Sequence, residues 1–486
     1  MRTPHSIPVG FSSWKSAARG ARPLTGFLVV LSFLLSTALA SSLGAEEPEG
    51  GWKSAENRLK KSILAKNFEV ARGIVSELAE TNEVRGYKLI LKYALGGHDY
   101  ELDRLAGRTL AAVESSNIRK EVCAEVARGK NSKTKIVLLA VLRRWSDDAL
   151  AMKTLHGALR SSRKEVVFTA LRWIRDLENP ELSMEPLIDE LARRERKPQD
   201  RVYFDLQKAL EELSGYKFKV SIDWRNFWKG RKGGKKPPPK KETESRTVLY
   251  KRPSFFSVTV DSDRVLFIID VSDSMKIMDT VIQKPKRPPE EPGRKGRTVV
   301  VKPDGASGSE KAPVDKLKRV ARITRVKHEL LKTLAGLPAH VRFGIMDFNH
   351  QVGFFGSPPP PAPTLDKPIQ HAQTPALVFA SKSNKKKAAD WVRKLRPSGA
   401  TRTDLAMSRA FGIPDIDTIY LLTDGTPRDE KNQKIAPELV LAIAKMQNRF
   451  RKARVHTVGF AQAGFTMQKL CRDLAGQNDG KCVLLE

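Results

Sequence analysis

The chain has 486 residues, with 87 Lys and Arg against 55 Asp and Glu, which leaves a formal charge of +32. Three cysteines exclude a disulfide-stapled miniature fold, and none of them sits at a zinc-ligand spacing. The basic balance, with a pI near 10.0, points toward anionic partners but says nothing of the fold.

Met1–Leu24 is basic and free of acids, and Gly26–Ala40 is continuously apolar or small. Ala38-Leu39-Ala40 supplies a small-x-small pattern ahead of Ser41, so residues 1–40 read as a signal peptide cut after Ala40. The rival reading is an uncleaved anchor, because Leu24–Ala45 is just long enough for a bilayer core of about 30 Å. No second apolar segment of that length follows. Either way the body of the protein is expected outside the cytoplasm: periplasmic, on the cell surface or secreted.

Residues 46–227 carry a helical pattern with few strand signals. Ile136–Trp145 precedes Asp147–Leu159, and Val166–Leu177 precedes Leu182–Ala192 in the same way. The correspondence of Ala140-Val141 with Ala170-Leu171, and of Leu155 with Leu187, implies helical hairpins repeating about every thirty residues. The pattern is similar to HEAT-type repeats. Glu56–Leu78 and Leu102–Ala127 fit it less regularly. Tyr216, Phe218, Trp224, Phe227 and Trp228 close the region, either as a binding ledge or as a cap that buries the open face of the last repeat; the cap is preferred. Residues 228–246 then form a basic, Pro- and Gly-rich linker, a solvated spacer that also offers an anionic polymer or membrane surface something to hold. Nucleic acid is not expected, since no recognition motif accompanies the charge.

From 247 to 486 strands and helices alternate. Val265–Val271, Val341–Asn349, Thr418–Thr423, Arg454–Phe460 and Cys482–Leu485 read as strands, and Lys318–Leu334, Ala388–Leu395, Leu405–Phe411, Pro437–Phe450 and Phe465–Ala475 as helices. This is the pattern of a doubly wound α/β sheet, so the fold class is multidomain: all-α repeats followed by a Rossmann-like α/β domain. Two insertions interrupt it, 279–316 and 356–375, the second containing Pro358-Pro359-Pro360-Pro361. The first emerges beside the motif described next and is expected to shape that surface. Cys471 and Cys482 are near enough in sequence to pair, and Cys123 reads as a small buried residue.

The chemistry-bearing pattern lies at strand ends. Arg264–Ile269 is an apolar run that stops in Asp270-Val271-Ser272-Asp273-Ser274. A carboxylate and two hydroxyls at the carboxyl end of a buried strand stand where open α/β sheets place ligands, and they are hard donors suited to Mg²⁺, Mn²⁺ or Ca²⁺. Ser398-Gly399-Ala400-Thr401-Arg402-Thr403-Asp404 is a second oxygen-bearing loop, and Leu422-Thr423-Asp424-Gly425 ends another strand in an acid. Together these segments resemble a von Willebrand factor type A domain with a metal-ion-dependent adhesion site. The resemblance implies that Ser272, Ser274 and Thr401 bind a divalent cation, Mg²⁺ first, through their hydroxyls, and that Asp270 and Asp424 act largely through water. It also implies that a carboxylate from a protein partner completes the coordination. Thr403 competes with Thr401, which is preferred because it follows Gly399 by two residues. Asp273 departs from the family pattern; it either draws the ion preference toward Ca²⁺ or faces solvent, and the alternation of an extended turn favours the latter.

No catalytic constellation stands beside this site. The eight histidines are scattered, and neither His-Glu-x-x-His, a Gly-x-Ser-x-Gly elbow nor a phosphate-binding loop occurs. An aspartyl-phosphate chemistry at Asp270 usually needs a second acid two residues on, where Ser272 stands. The expected function is metal-dependent protein binding, in adhesion or envelope-complex assembly in a bacterium, with a second protein on the helical repeats. The alternatives are a basic structural protein on an anionic wall or membrane surface, and an accessory subunit of an enzyme complex.

Overall fold

The computed structural model describes residues 47–195, 200–234, 252–282, 317–356 and 375–486. The expected signal peptide, residues 235–246 of the linker, and residues 283–316 and 357–374 of the insertions lie outside the described residues. The chain divides into two compact units, before and after Leu89. No helix among the described residues is long and apolar enough to cross a membrane.

The first unit holds α1 (Gly51–Leu64), α2 (Phe68–Glu80) and α3 (Val84–Leu89). The single stretch expected over Glu56–Leu78 breaks where Lys66 takes a left-handed φ of 55° and the Asn67 side chain accepts from Val70 N at 3.3 Å, starting a new helix. Ala55 and Leu59 of α1 are buried with Ala71, Ile74, Val75 and Leu78 of α2, one apolar stripe on each helix.

The second unit begins with a π-turn, Ile90–Ala94, and continues through α4 (Tyr100–Ala111), α5 (Ser116–Arg128), α6 (Ser132–Leu142), α7 (Ala149–Gly157), α8 (Lys164–Asp176), α9 (Pro180–Arg194), α10 (Arg201–Ser214) and α11 (Ser221–Lys232). Short polar side chains set the starts. Asp99, Asn131, Asp148, Asn179 and Asp200 each accept a hydrogen bond from a backbone N–H of the following first turn. Alternate helices lie side by side: α4, α6, α8 and α10 make one layer, and α5, α7, α9 and α11 a second. The aromatic run closes this region as packing: Trp224 and Trp228 are buried, and the Tyr216 ring packs at a tilt against Phe227, with centroids 4.7 Å apart. The linker therefore starts later than expected, because burial of Trp228 keeps Trp228–Lys232 in α11.

Next come a two-residue-turn ribbon, β1 (Ser254–Phe255) and β2 (Val258–Thr259), and the main sheet. Its strands are β3 (Arg264–Asp270), β6 (Arg342–Phe348), β7 (Val352–Phe354), β8 (Val378–Phe379), β9 (Thr418–Leu422), β10 (Arg454–Phe460) and β11 (Cys482–Leu485). The order is β11-β10-β9-β3-β6-β7, with β8 also on β6. The five strands β11, β10, β9, β3 and β6 run parallel, while β7 and β8 are antiparallel to β6. Side-chain alternation sends Val265, Phe267 and Ile269 to one face, under α12 (Arg322–Gly336) and α13 (Lys382–Lys394). It sends Leu266 and Ile268 to the other, under α14 (Thr403–Gly412), α15 (Pro437–Gln447) and α16 (Phe465–Gln477).

Two expectations need correction here. The helix placed at Lys318–Leu334 starts only at Arg322, because β4 (Met278–Ile282) and β5 (Leu317–Ala321) form an antiparallel ribbon that projects from the Asp270 loop. The helix placed at Ala388–Leu395 starts at Lys382, where the Ser381 hydroxyl accepts from Asn384 N at 3.2 Å. All three cysteines are free thiols, with Cys123 and Cys471 buried.

The helices of the second unit meet the amino-terminal ends of the parallel strands through charge. Lys164 Nζ of α8 lies 2.9 Å from Asp417 Oδ2 and 3.0 Å from Asp263 Oδ1, the residues that precede β9 and β3. Arg454, first in β10, pairs with Asp205 of α10 at 2.5 Å and with Asp479 at 3.0 Å. Arg201 donates to the carbonyls of Asp417 at 2.5 Å and Lys452 at 2.7 Å. The opposite, carboxyl ends of the strands are left to the candidate site.

Candidate functional site

Three loops converge at those carboxyl ends. Asp270 is the last residue of β3 and fully buried. Its Oδ1 accepts from Ser272 N at 2.8 Å, and its Oδ2 from the Thr423 hydroxyl at 2.7 Å. Both bonds follow from neighbouring strand ends: β3 pairs with β9 as far as Ile269↔Leu422, which brings Thr423 beside Asp270. The turn then winds into a short 3₁₀ segment, Asp273–Lys276, that stacks the two serine hydroxyls 3.0 Å apart. Ser274 Oγ donates to Asp424 Oδ1 at 2.5 Å, which ties the first loop to the third.

The second loop is held by backbone. Ser398 N donates to Val271 O at 2.7 Å, and Asp273 N to Gly399 O at 3.0 Å. Gly399 has a φ of +74°, and a side chain there would run into the His350 ring, so both conformation and space require glycine. Thr401 is buried and stands against the third loop: a Cβ on Gly425 would lie 2.8 Å from its hydroxyl oxygen. The Asp270, Ser272, Ser274 and Asp424 side chains are thus linked, and Thr401 closes on the same turn. Thr403, the competing residue, is fully buried at the start of α14 with its hydroxyl unpaired among the described residues. Asp273 turns outward, pairing with Lys276 at 2.5 Å and accepting from Gly399 N at 3.1 Å. It latches two loops together.

Electrostatics set this corner apart. Burial, and then the charge of Asp424, push Asp270 up to about 7. Burial also raises Asp424, against the pull of Ser274 and Arg322. Arg322 offsets the charge of Asp424, whereas Asp270 meets only the Ser272 amide and the Thr423 hydroxyl, an arrangement that a further cation would relieve. The donor set fits a hard divalent ion: all oxygen, two acids, three hydroxyls. No group of three or more His, Cys, Asp or Glu suited to a metal occurs among the described residues.

Sequence reasoning missed Arg322, Asp279 and Thr423. The Arg322 guanidinium is buried, with Nη1 2.9 Å from Asp424 Oδ2 and Nε 3.1 Å from Asp279 Oδ1. It lies 4.8 Å over the Phe460 ring. Arg322 begins α12 and Asp279 lies in β4, so the base of the ribbon is fastened into the site. Nothing in the sequence marks that pair, since its partners meet only through the fold. Thr423 was legible as a neighbour of Asp424 but not as the hydroxyl that orients Asp270.

No family model matches the chain. Among solved structures it overlaps a von Willebrand factor type A protein from Catenulispora acidiphila, at 15% identity and a TM-score of 0.29, over 47% of this chain and 40% of that one. It also overlaps proximal thread matrix protein 1 from the mussel byssus, at 12% identity and a TM-score of 0.25, over 45% of this chain and 40% of that one. The chain thus spans about two fifths of the length of each of these two proteins. Likenesses this loose decide nothing about the site, which stands on its own strand order and contacts.

Proposed function

We propose that residues 247–486 act as a von Willebrand type A domain for metal-dependent protein binding, with Asp270, Ser272, Ser274, Thr401 and Asp424 holding Mg²⁺, or Mn²⁺ or Ca²⁺ in its place. The observation that carries this reading is the linked set Asp270–Ser272–Ser274–Asp424, with Thr401 against Gly425, at the carboxyl ends of adjacent parallel strands. A bound cation supplies an electrophilic position for an acidic side chain of a protein partner. The chain's own residues prepare the place. Thr423 and the Ser272 amide orient Asp270, Arg322 and Ser274 hold Asp424, and Gly425 leaves room for Thr401. The reading is of a binding protein and not an enzyme, exported after removal of residues 1–40 and working at a bacterial envelope. The two-layer stacking of α4–α11 supports HEAT-like repeats, which offer a second partner a surface.

The charge of +32 favours one second reading, a basic structural protein held on an anionic wall or membrane surface. Chelator and salt separate the two. Metal-dependent binding fails with EDTA, whereas electrostatic coating fails with added salt and ignores EDTA. The direct test is calorimetric titration of Mg²⁺, Mn²⁺ and Ca²⁺ into the full chain beside Asp270→Ala and Thr401→Ala. Saturable binding lost in both folded variants supports the metal site. A folded wild-type chain that takes up none of the three ions refutes it.

A further inference from the structure

A cavity of about 470 Å³ lies where α4 and α8 meet the end of α15 and the turn after α16, away from the metal-site loops. Cations outnumber acids in its lining: Arg172, Arg201, Lys445, Arg449 and Lys452 stand against the single carboxylate of Asp479, with Tyr100 and Trp173 as flat walls. The carboxylates nearby are already spent. Asp103 is 2.7 Å from Arg449, and Asp479 is shared by Arg454 and Arg175 at 3.0 and 3.4 Å. Arg172, Lys445 and Lys452 have no carboxylate partner among the described residues. Arg172 rests over the Trp173 ring at 5.7 Å and Lys445 over Tyr100 at 5.2 Å, contacts that orient a cation without neutralising it.

Lys452 is the telling residue. Its backbone is pinned: Arg201 donates to its carbonyl at 2.7 Å, its own N–H donates to Asn448 O at 3.1 Å, and its φ is 57°. Its ammonium makes no hydrogen bond or ion pair among the described residues. Burial, then Arg172 and Arg449, bring the Lys452 amine down to about 8. Lys452 is partly buried, Arg172 and Lys445 are exposed, and Asp479 in the same lining is engaged by Arg454 and Arg175, so an anion entering the cavity meets net positive charge.

We propose that this cavity binds a small phosphorylated molecule of about nucleotide or sugar-phosphate size, through phosphate oxygens held by Arg172, Lys445 and Lys452. Three unmatched cations call for more than one negative charge, which a phosphate or diphosphate supplies in compact form. The volume falls in the range of about 300–1,000 Å³ usual for small-ligand sites, and the aromatic walls suit the organic remainder. Because the lining comes from both the helices and the sheet side of the second unit, the ligand would bridge them and raise the melting temperature.

The probe is inorganic pyrophosphate, titrated calorimetrically into the full chain at about 150 mM salt, where diffuse attraction is largely screened. Saturable binding with one site, weakened tenfold or more by Lys452→Asn and by Arg172→Gln, is expected; asparagine tolerates the left-handed backbone at 452. Pyrophosphate also shields Lys452 from an amine-acylating reagent, read residue by residue by mass spectrometry. This second readout uses the unaltered protein and does not depend on a variant folding. Absence of binding, binding unchanged in both folded variants, or acylation of Lys452 at the same rate with and without pyrophosphate overturns the proposal.

Discussion

The two ends of the parallel sheet both bury charge, and they differ in how it is balanced. At the amino ends Arg201, Arg454 and Lys164 face Asp205, Asp263, Asp417 and Asp479. Burial alone would raise Asp479, yet the Arg454 and Arg175 charges outweigh it and hold this carboxyl well below its usual range. Asp417 is the exception, pushed up to about 6 by burial while it shares Lys164 with Asp263. At the carboxyl ends the only buried cation among the described residues is Arg322, which serves Asp279 and Asp424 and leaves Asp270 to neutral donors. Matched buried charge reads as attachment, and unmatched buried charge reads as a place for something else.

The largest effect is expected at the matched end. Arg454→Met leaves Asp205 and Asp479 without their shared cation, and the stability of the second unit falls by about 3–5 kcal/mol. Urea unfolding at pH 7 measures it, and a loss below about 1 kcal/mol would remove the charged junction as the attachment. Next comes His456, two residues along β10. Burial, then Arg454 and Arg201, bring it from 6.5 down to about 2, and its Nδ1 accepts from Lys481 N at 3.0 Å. Below pH 6.5 the unfolded chain takes up a proton there that the folded chain refuses. Wild-type stability therefore falls by up to about 1.4 kcal/mol per pH unit on acidification. His456→Asn keeps an acceptor and loses about 2 kcal/mol of that fall between pH 7 and 5, seen as a flatter curve of denaturant midpoint against pH.

At the unmatched end the sign reverses. The folded state holds the Asp270 proton up to about 7, while the unfolded carboxyl releases it near 3.8, so wild-type stability declines as pH rises through that window. Asp270→Asn removes the cost and makes the ion-free protein more stable by roughly 1–3 kcal/mol at pH 8. The same variant gains nothing from added Mg²⁺. A variant less stable than wild type without ions would mean that Asp270 is already balanced. The smallest effect is expected from Asp273→Ser, because Asp273 is exposed and paired with Lys276. Ion affinity should stay within about twofold in calorimetry, and a tenfold drop would make this carboxylate part of the site.

The alternation of strand and helix from Arg264 onward was legible because a strand buried on both faces reads as an apolar run, and the runs of β3, β6 and β9 stop in polar turns. The candidate residues were legible for the same reason, as oxygen donors at strand ends. Helix starts were less so. Asp148, Asn179 and Asp200 set them, but a short polar residue is a cap only where the chain before it leaves the helix. The β4–β5 ribbon escaped notice because the sequence around it gives no period, and Lys318–Ala321 reads as helix until Met278–Ile282 pairs with it.

What the sequence determined by itself is local: which runs are apolar, which turns carry oxygen, and where glycine must stand. These depend on neighbours within a few residues, and the chain writes them down directly. Charge balance is different, because a buried carboxylate is matched or unmatched according to what lies across the fold. Arg322 meets Asp424 across 102 positions, and Arg454 meets Asp205 across 249. Only tertiary structure decides those pairings, since electrostatic energy in a low-dielectric interior depends on distance in space and not along the chain.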